Sequence, residues 1–270
     1  MEKKGQESND LKCSLRKLSA IKQKCLGYPP LAQFLRIRSY LSFLQDFMKF
    51  KRRSVKDNGR FAVRWKDRYP CLNDKTATTS FDRHYVYHTA WAGRILARTN
   101  PEYHVDISSF IYFGALVSSF IPVRYYDYRP ADLKLDNLTS NAADLLRLPF
   151  DDGSVKSLSS MHVVEHVGLG RYGDLIDPAG DLKAIAELKR VLAEGGSLLF
   201  VVPVGKPKIM FNAHRIYSYE QVLDYFRGLH LKEFALIPDK PENGGLIYNV
   251  SKKETDSQNY GCGCFWFIKE

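Results

Sequence analysis

The sequence predicts an α/β protein organised around a doubly wound, mostly parallel β-sheet, and three observations predict it. Residues 155–204 read as a strand, a glycine-rich loop, an amphipathic helix and a second strand, which together describe a βαβ crossover. The second of these strands, SLLFVVPV, is apolar almost throughout, as a strand covered on both faces must be. Upstream, two short strands end in Asp106 and Asp127, 21 positions apart. Doubly wound folds use about that interval between a ligand-facing loop and an acid that accepts from ribose hydroxyls.

The elements follow in chain order. Residues 1–30 are polar and lysine-rich, end in Tyr28-Pro29-Pro30, and are expected to form a mobile arm. Over 31–53, Phe34, Ile37, Tyr40, Leu41, Leu44, Phe47 and Met48 fall on one helical face, with Lys49, Lys51, Arg52 and Arg53 in the last turn. Residues 54–80 are an irregular connection that could reach over the functional face. Asp82 opens a helix that Asn100-Pro101 closes. Strands are expected at 103–108, 122–128 and 138–143, with a helix over 109–120 between the first two. Asp151-Asp152-Gly153 turns the chain into the fourth strand, 155–164.

Gly168, Gly170, Gly173, Pro178 and Gly180 then make a loop too rich in breakers to be helical. Asp181 is expected to N-cap a helix carrying Leu182, Ile185, Leu188, Val191 and Leu192, and Gly195-Gly196 to end it. Ser218 and Gln221 form a capping-box pattern that opens a helix over 219–227. The last two strands, 230–238 and 261–268, should pair antiparallel across a polar, exposed connection at 239–259.

Charge divides the chain. Residues 1–70 hold 18 Lys and Arg against 6 Asp and Glu, a balance of +12, and the remainder balances to −2. A basic extension, residues 1–80, is therefore expected beside a near-neutral domain, residues 81–270. The amphipathic segment 31–53 suits either an anionic membrane surface or a packing role against the domain core or a partner. Nucleic acid is not indicated, because aromatic and basic residues do not interleave there. Five cysteines without zinc spacing read as reduced thiols of a cytoplasmic protein, and Cys262 and Cys264 alternate on one face of the final strand as packing groups. No signal peptide or membrane span is expected from the opening MEKKGQESND or from the apolar stretch 110–123. His84 and His88 share a helix face but lack a third ligand nearby in sequence, so no metal site is expected.

The segments LPFDDGSV, SSMHVVEHV and AELKRVLAEGGSLLFVVP resemble the second half of a class I S-adenosylmethionine (SAM)-dependent methyltransferase. The longer run HVVEHVGLGRYGDLIDPAGDLKAIAELKRVL, with FNAHRIYSYE and GCGCFWF, resembles a bacterial and nematode family of uncharacterised methyltransferase-like proteins, known chiefly as a domain of unknown function. The resemblance covers roughly residues 81–270. It implies a Rossmann-like, doubly wound, seven-stranded sheet with one antiparallel edge strand, and SAM as cofactor. Asp127 would take the SAM ribose, and Asp144, four positions before LPF, would accept from the adenine amino group. Leu145 follows it in the same loop.

One departure stands out. Where that superfamily has Asp-x-Gly-x-Gly-x-Gly, this chain has Asp106-Ile107-Ser108-Ser109-Phe110. Ser108 and Ser109 must therefore make a turn that glycine makes elsewhere, and serine tolerates positive φ poorly. At the end of the fourth strand His162, Glu165 and His166 are the catalytic candidates, with His162 first for the methyl-acceptor interface. Asp174 and Asp177 in the glycine loop, and His214 and Arg215 after the fifth strand, are candidates for the acceptor. The resemblance implies a small polar acceptor, a sugar in surface-polysaccharide assembly among them. Two other readings are a methyltransferase-like scaffold without chemistry, and an enzyme using a different nucleotide on the same fold.

Overall fold

The computed structural model describes residues 29–56 and 60–270. Of the arm expected over 1–30, residues 1–28 lie outside the described residues, and Pro29 and Pro30 already belong to a helix. The chain divides into two compact units, residues 1–80 and residues 81–270. In the first, helix α1 spans Pro29–Lys56. Tyr40, Phe43 and Phe47 make successive ring contacts along it, and Phe47 meets Trp65 edge-on at 5.0 Å. Lys75 pairs with Asp46. Phe34, Ile37, Leu41, Met48 and Phe50 remain exposed. Among the described residues, no helix is long and apolar enough to cross a membrane.

The second unit starts with helix α2, Arg83–Thr99. The Asp82 carboxylate accepts from the Tyr85 backbone N–H at its start, and Asn100 closes it in the left-handed conformation, φ 42°. Strand β1 (His104–Ile107), helix α3 (Ile111–Val117), strands β2 (Val123–Asp127), β3 (Leu138–Ala142) and β4 (Val155–Met161) follow. Helix α4 (Gly180–Val191) leads straight into strand β5 (Leu192–Val204). Then come a small hairpin, β6 (Lys208–Met210) and β7 (His214–Ile216), helix α5 (Tyr219–Tyr225) and strand β8 (Leu229–Ile237). A two-residue strand β9 (Ile247–Tyr248), helix α6 (Lys252–Asp256) and strand β10 (Gly261–Lys269) complete the unit.

The main sheet has the order β3-β2-β1-β4-β5-β10-β8-β9. Pairings from β3 to β5 are parallel, and β10 runs antiparallel between β5 and β8. The sheet is thus Rossmann-like and doubly wound, with its reversed strand in the edge region. Alternation along the strands fills both faces. Leu198, Phe200, Val202, Phe265 and Phe267 pack with α4 and α5, whereas Leu199, Val201, Cys262, Cys264 and Trp266 pack with α2 and α3.

Four local expectations are corrected. Asp181 does not cap α4; Ala179 is the N-cap, and the buried Asp181 carboxylate accepts from the Tyr217 hydroxyl at 3.0 Å. The helix ends at Val191, before Gly195-Gly196, because Leu192 is already extended; Gly195, at φ 69°, lies where the β4–β5 register shifts. The connection at 239–259 is not plain loop, since β9 adds to β8 and α6 carries its own serine cap. The sheet has eight strands rather than seven, β9 being the addition.

Candidate functional site

A cavity of about 330 Å³ opens beyond the carboxyl ends of β1, β2 and β4, the position that strand-order reversal creates in such sheets. Ser108, Ser109 and Phe110 line it from the first loop, Asp127, Tyr128 and Arg129 from the second. The segment after β3 adds Asp144, Leu145 and Leu146, and Met161 and His162 come from the end of β4. Tyr85, from the first turn of α2, and Tyr172 and Asp174, from the glycine loop, complete the wall.

The first loop works without glycine because a buried polar chain braces it. Asp106 is fully buried; its carboxylate accepts from the Ser109 backbone N–H at 3.0 Å and from the Ser159 hydroxyl at 2.5 Å. Since Ser159 donates to Asp106, it accepts from His104 Nε2 at 2.8 Å, and His104 Nδ1 then accepts from Ser157 at 2.8 Å. Burial lowers His104 to a pKa of about 3 and raises Asp106 to about 6. Ser109 Oγ accepts from the Met161 N–H, tying the loop to β4. Ser108 sits at φ 56°, where a glycine would be unstrained, and its N–H reaches Tyr126 O at 2.7 Å. Asp106 therefore organises the loop from beneath and is not in the cavity wall, whereas Ser108 and Ser109 are.

Asp127 and Asp144 both line the cavity. Asp127 accepts from the Arg129 N–H at 2.7 Å and from the Tyr125 hydroxyl at 3.2 Å, and the same hydroxyl lies 3.0 Å from Ser109 O. Asp144 accepts from the Leu146 N–H at 2.9 Å. Each keeps lone pairs for a ligand's hydroxyl or amino group.

The opposite side is rich in imidazoles. His162 follows β4 in the left-handed conformation, φ 59°, which turns its ring under α2. Its Nδ1 lies 2.8 Å from Glu165 Oε1, and Glu165 is only 1% exposed. Burial alone would raise the Glu165 carboxyl, but the His162 hydrogen bond and the charges of His162 and His166 outweigh it and leave it lowered. His84 stacks on His162 with centroids 5.2 Å apart, and His88 and Tyr85 meet the same ring at 5.2 and 5.5 Å. His84 and His88 head the buried stripe of α2 that continues through Trp91 and Ile95. Burial lowers His84 to about 4, and lowers His88 well below the ordinary histidine value. His166 lines the cavity, with Nδ1 2.6 Å from Ala213 O and Nε2 3.8 Å from Glu165 Oε1.

Of the acceptor candidates, the structure brings only Asp174 into the wall, and it shapes the loop: its carboxylate accepts from the N–H groups of Gly168, Gly170 and Tyr172. Asp177 is turned to the Ala179 N–H and to Lys183. His214 is set back against Tyr260, rings 4.8 Å apart. Arg215, expected to face the opening, is corrected: it is 5% exposed, donates to the carbonyls of Val167 and Pro178, and lies 3.5 Å from Asp181. A guanidinium held by that many groups braces the loop rather than meeting a ligand. Reading the sequence missed Tyr85, Phe110 and Tyr172 as wall residues, and missed that His84 clusters with His162 and Cys262.

Fold and cavity together define a Rossmann-like, doubly wound α/β unit with a ligand-sized cavity where the strand order reverses. Residues 151–236 match the family model described as Caenorhabditis protein of unknown function, DUF268. No curated protein matches the sequence. Among solved structures the chain is similar to a Haloferax volcanii protein solved in complex with a methyltransferase activator, at 21% identity over 69% of this chain and 90% of that one, TM-score 0.47. It is also similar to the N-methyltransferase NodS of Bradyrhizobium japonicum, solved with S-adenosyl-L-homocysteine (15% identity, 74% and 91% covered, TM-score 0.48). A Thermotoga maritima SAM-dependent methyltransferase is a third (15% identity, 70% and 90% covered, TM-score 0.46).

Proposed function

We propose that this chain is a SAM-dependent methyltransferase acting on a small polar acceptor. The observation that carries the reading is the pairing of Asp127 and Asp144 in one cavity wall, with Phe110, Leu145, Leu146 and Met161 as its apolar lining. An adenosine needs such a set: carboxylates for ribose hydroxyls and for an amino group, and apolar surface for the ring. Ser108 and Ser109 close the cavity floor where the methionine portion would lie. Methyl transfer asks the protein chiefly to hold the acceptor in line with the sulfonium, and Tyr85, His162 and His166 border that end. In this reading His166 would hydrogen-bond the acceptor, and Glu165 orients His162. A sugar hydroxyl remains the acceptor that the family resemblance suggests. A binding module without chemistry is the second reading, favoured by Ser108 at positive φ.

Calorimetric titration of the full chain with SAM tests the reading. Saturable micromolar binding is expected, weakened at least tenfold in Asp127→Ala and in Asp144→Ala, since a hydrogen bond to a charged group contributes about 1.5–3 kcal/mol. Absence of binding up to millimolar SAM would overturn it. For residues 31–53 we propose peripheral contact with an anionic membrane, supported by exposed Phe34, Ile37, Leu41 and Met48 beside Lys49, Lys51, Arg52 and Arg53. Co-sedimentation with phosphatidylserine vesicles, and none with phosphatidylcholine vesicles, is the expected outcome; equal behaviour with both would rule it out.

A further inference from the structure

We propose that His84, His162 and Cys262 form a binding site for a divalent ion of the Zn²⁺ class, against the acceptor end of the cavity. The proposal goes beyond the cofactor reading and does not depend on it. Three separate elements deliver the donors: the first turn of α2, the end of β4 and the second residue of β10. Their candidate ligand atoms all lie within 4.8 Å of one another, and all three residues are buried. Two imidazoles and a thiol are the donor set of tetrahedral zinc sites, and three protein ligands leave a fourth position open.

A second observation points to the same occupant. His162 is 8% exposed, its Nδ1 is held by Glu165 at 2.8 Å, and its Nε2 is buried with no hydrogen-bond partner. A ligating histidine characteristically has one nitrogen oriented by a carboxylate and the other free for the metal. Because Nε2 is buried, it is not presented to the open cavity, so it is poorly placed to take a proton from an acceptor there. It is well placed to meet the donors from α2 and β10. Tetrahedral zinc brings its donors to roughly 3.5 Å from one another, so ion binding would draw the three elements slightly together. Coordination requires the Cys262 thiol to lose its proton to solvent and both rings to bind as neutral imidazoles. The site escapes any spacing motif, since Cys262 and His84 lie at opposite ends of this unit.

The test uses the full chain, stripped by chelator and titrated with Co²⁺, then Zn²⁺. One equivalent of Co²⁺ should produce a thiolate-to-cobalt charge-transfer band with the intense visible bands of tetrahedral cobalt, and Zn²⁺ should bleach both. Cys262→Ser should remove the charge-transfer band, and His84→Gln should weaken Co²⁺ binding at least tenfold, with folding checked by circular dichroism. Cys264→Ser and Cys71→Ser should leave the band intact. A missing band in the parent chain, or one that survives Cys262→Ser, would overturn the proposal. SAM calorimetry on the same samples separates the two readings: a metal band without SAM binding sinks the methyltransferase reading alone, and the converse sinks the metal site alone.

Discussion

Along the wall built from the ends of β1 and β2, Ser108, Ser109 and Asp127, with Asp106 beneath them, each have hydrogen-bond partners within the protein. Along the wall built from α2 and the end of β4, the buried His162 Nε2 and Glu165 Oε2 have none. Both walls carry a residue in the left-handed conformation, Ser108 at φ 56° and His162 at φ 59°. The same backbone device therefore serves two ends. In the first wall it completes a self-sufficient scaffold that offers spare lone pairs to a ligand. In the second it delivers a buried ring nitrogen that has no protein partner, and an unpaired polar atom is costly unless something binds it. The difference is between a wall whose polar groups are satisfied within the protein and one in which a buried ring nitrogen and a carboxylate oxygen are not.

The largest effect should come from the glycine loop that joins the two walls. At Gly168, φ is 81° and an added Cβ would lie 2.1 Å from the Asp177 carbonyl oxygen. Gly168→Ala should lower stability by about 3 kcal/mol, read as a lower urea midpoint; an unchanged midpoint would mean that the loop is looser than the structure has it. The polar chain beneath the first wall gives the next test. His104 is held neutral, lowered from 6.5 to about 3, so its contribution is complete above pH 6.5 and is lost as pH falls toward 3. Asp106, raised from 3.8 to about 6, has the opposite sign: its contribution is present below pH 3.8 and is lost as pH rises through 6. Between pH 4 and 6 the two slopes oppose. His104→Gln leaves Asp106 alone there, so stability should shift toward rising on acidification by up to about 1.4 kcal/mol per pH unit relative to the parent. Parallel curves for the two proteins would contradict the assignment.

Tyr125→Phe removes the hydroxyl that lies between Asp127 and Ser109, and should weaken SAM binding about fivefold through a loss of about 1 kcal/mol. An unchanged affinity would show that Asp127 needs no such support. The smallest effect expected is a gain. Ser108→Gly relieves the left-handed turn of the first wall and should stabilise by about 1 kcal/mol, seen as a higher melting temperature; a loss would show that the Ser108 hydroxyl bond to Tyr126 O outweighs the strain.

Most of the fold was legible because it is written in short-range signals. The Asp82 cap, the Ser218–Gln221 box, the apolar run of β5 and the Asp106–Asp127 interval each report on their own neighbourhood. The same interval pointed to Asp127, which lines the cavity, and to Asp106, which lies beneath it. What escaped was decided by distant partners. Arg215 reads as a free cation beside His214, yet its destination is set by the carbonyls of Val167 and Pro178 and by Asp181. Asp181 has the look of a helix cap, but the Tyr217 hydroxyl claims its carboxylate. Ser157 and Ser159 look like ordinary strand serines, and only the pairing of β4 with β1 puts them against His104 and Asp106. Cys262 alternates with Cys264 as core packing does, and only the placement of β10 beside α2 brings it to His84.

The central claim, that the satisfied wall is a SAM site, is tested most directly by a crystal structure of the full chain with S-adenosyl-L-homocysteine. The account predicts the ribose hydroxyls on Asp127, the adenine amino group near Asp144, and the sulfur toward Tyr85, His162 and His166. Ligand bound elsewhere, or seated in the cavity without contact to Asp127 or Asp144, would contradict it.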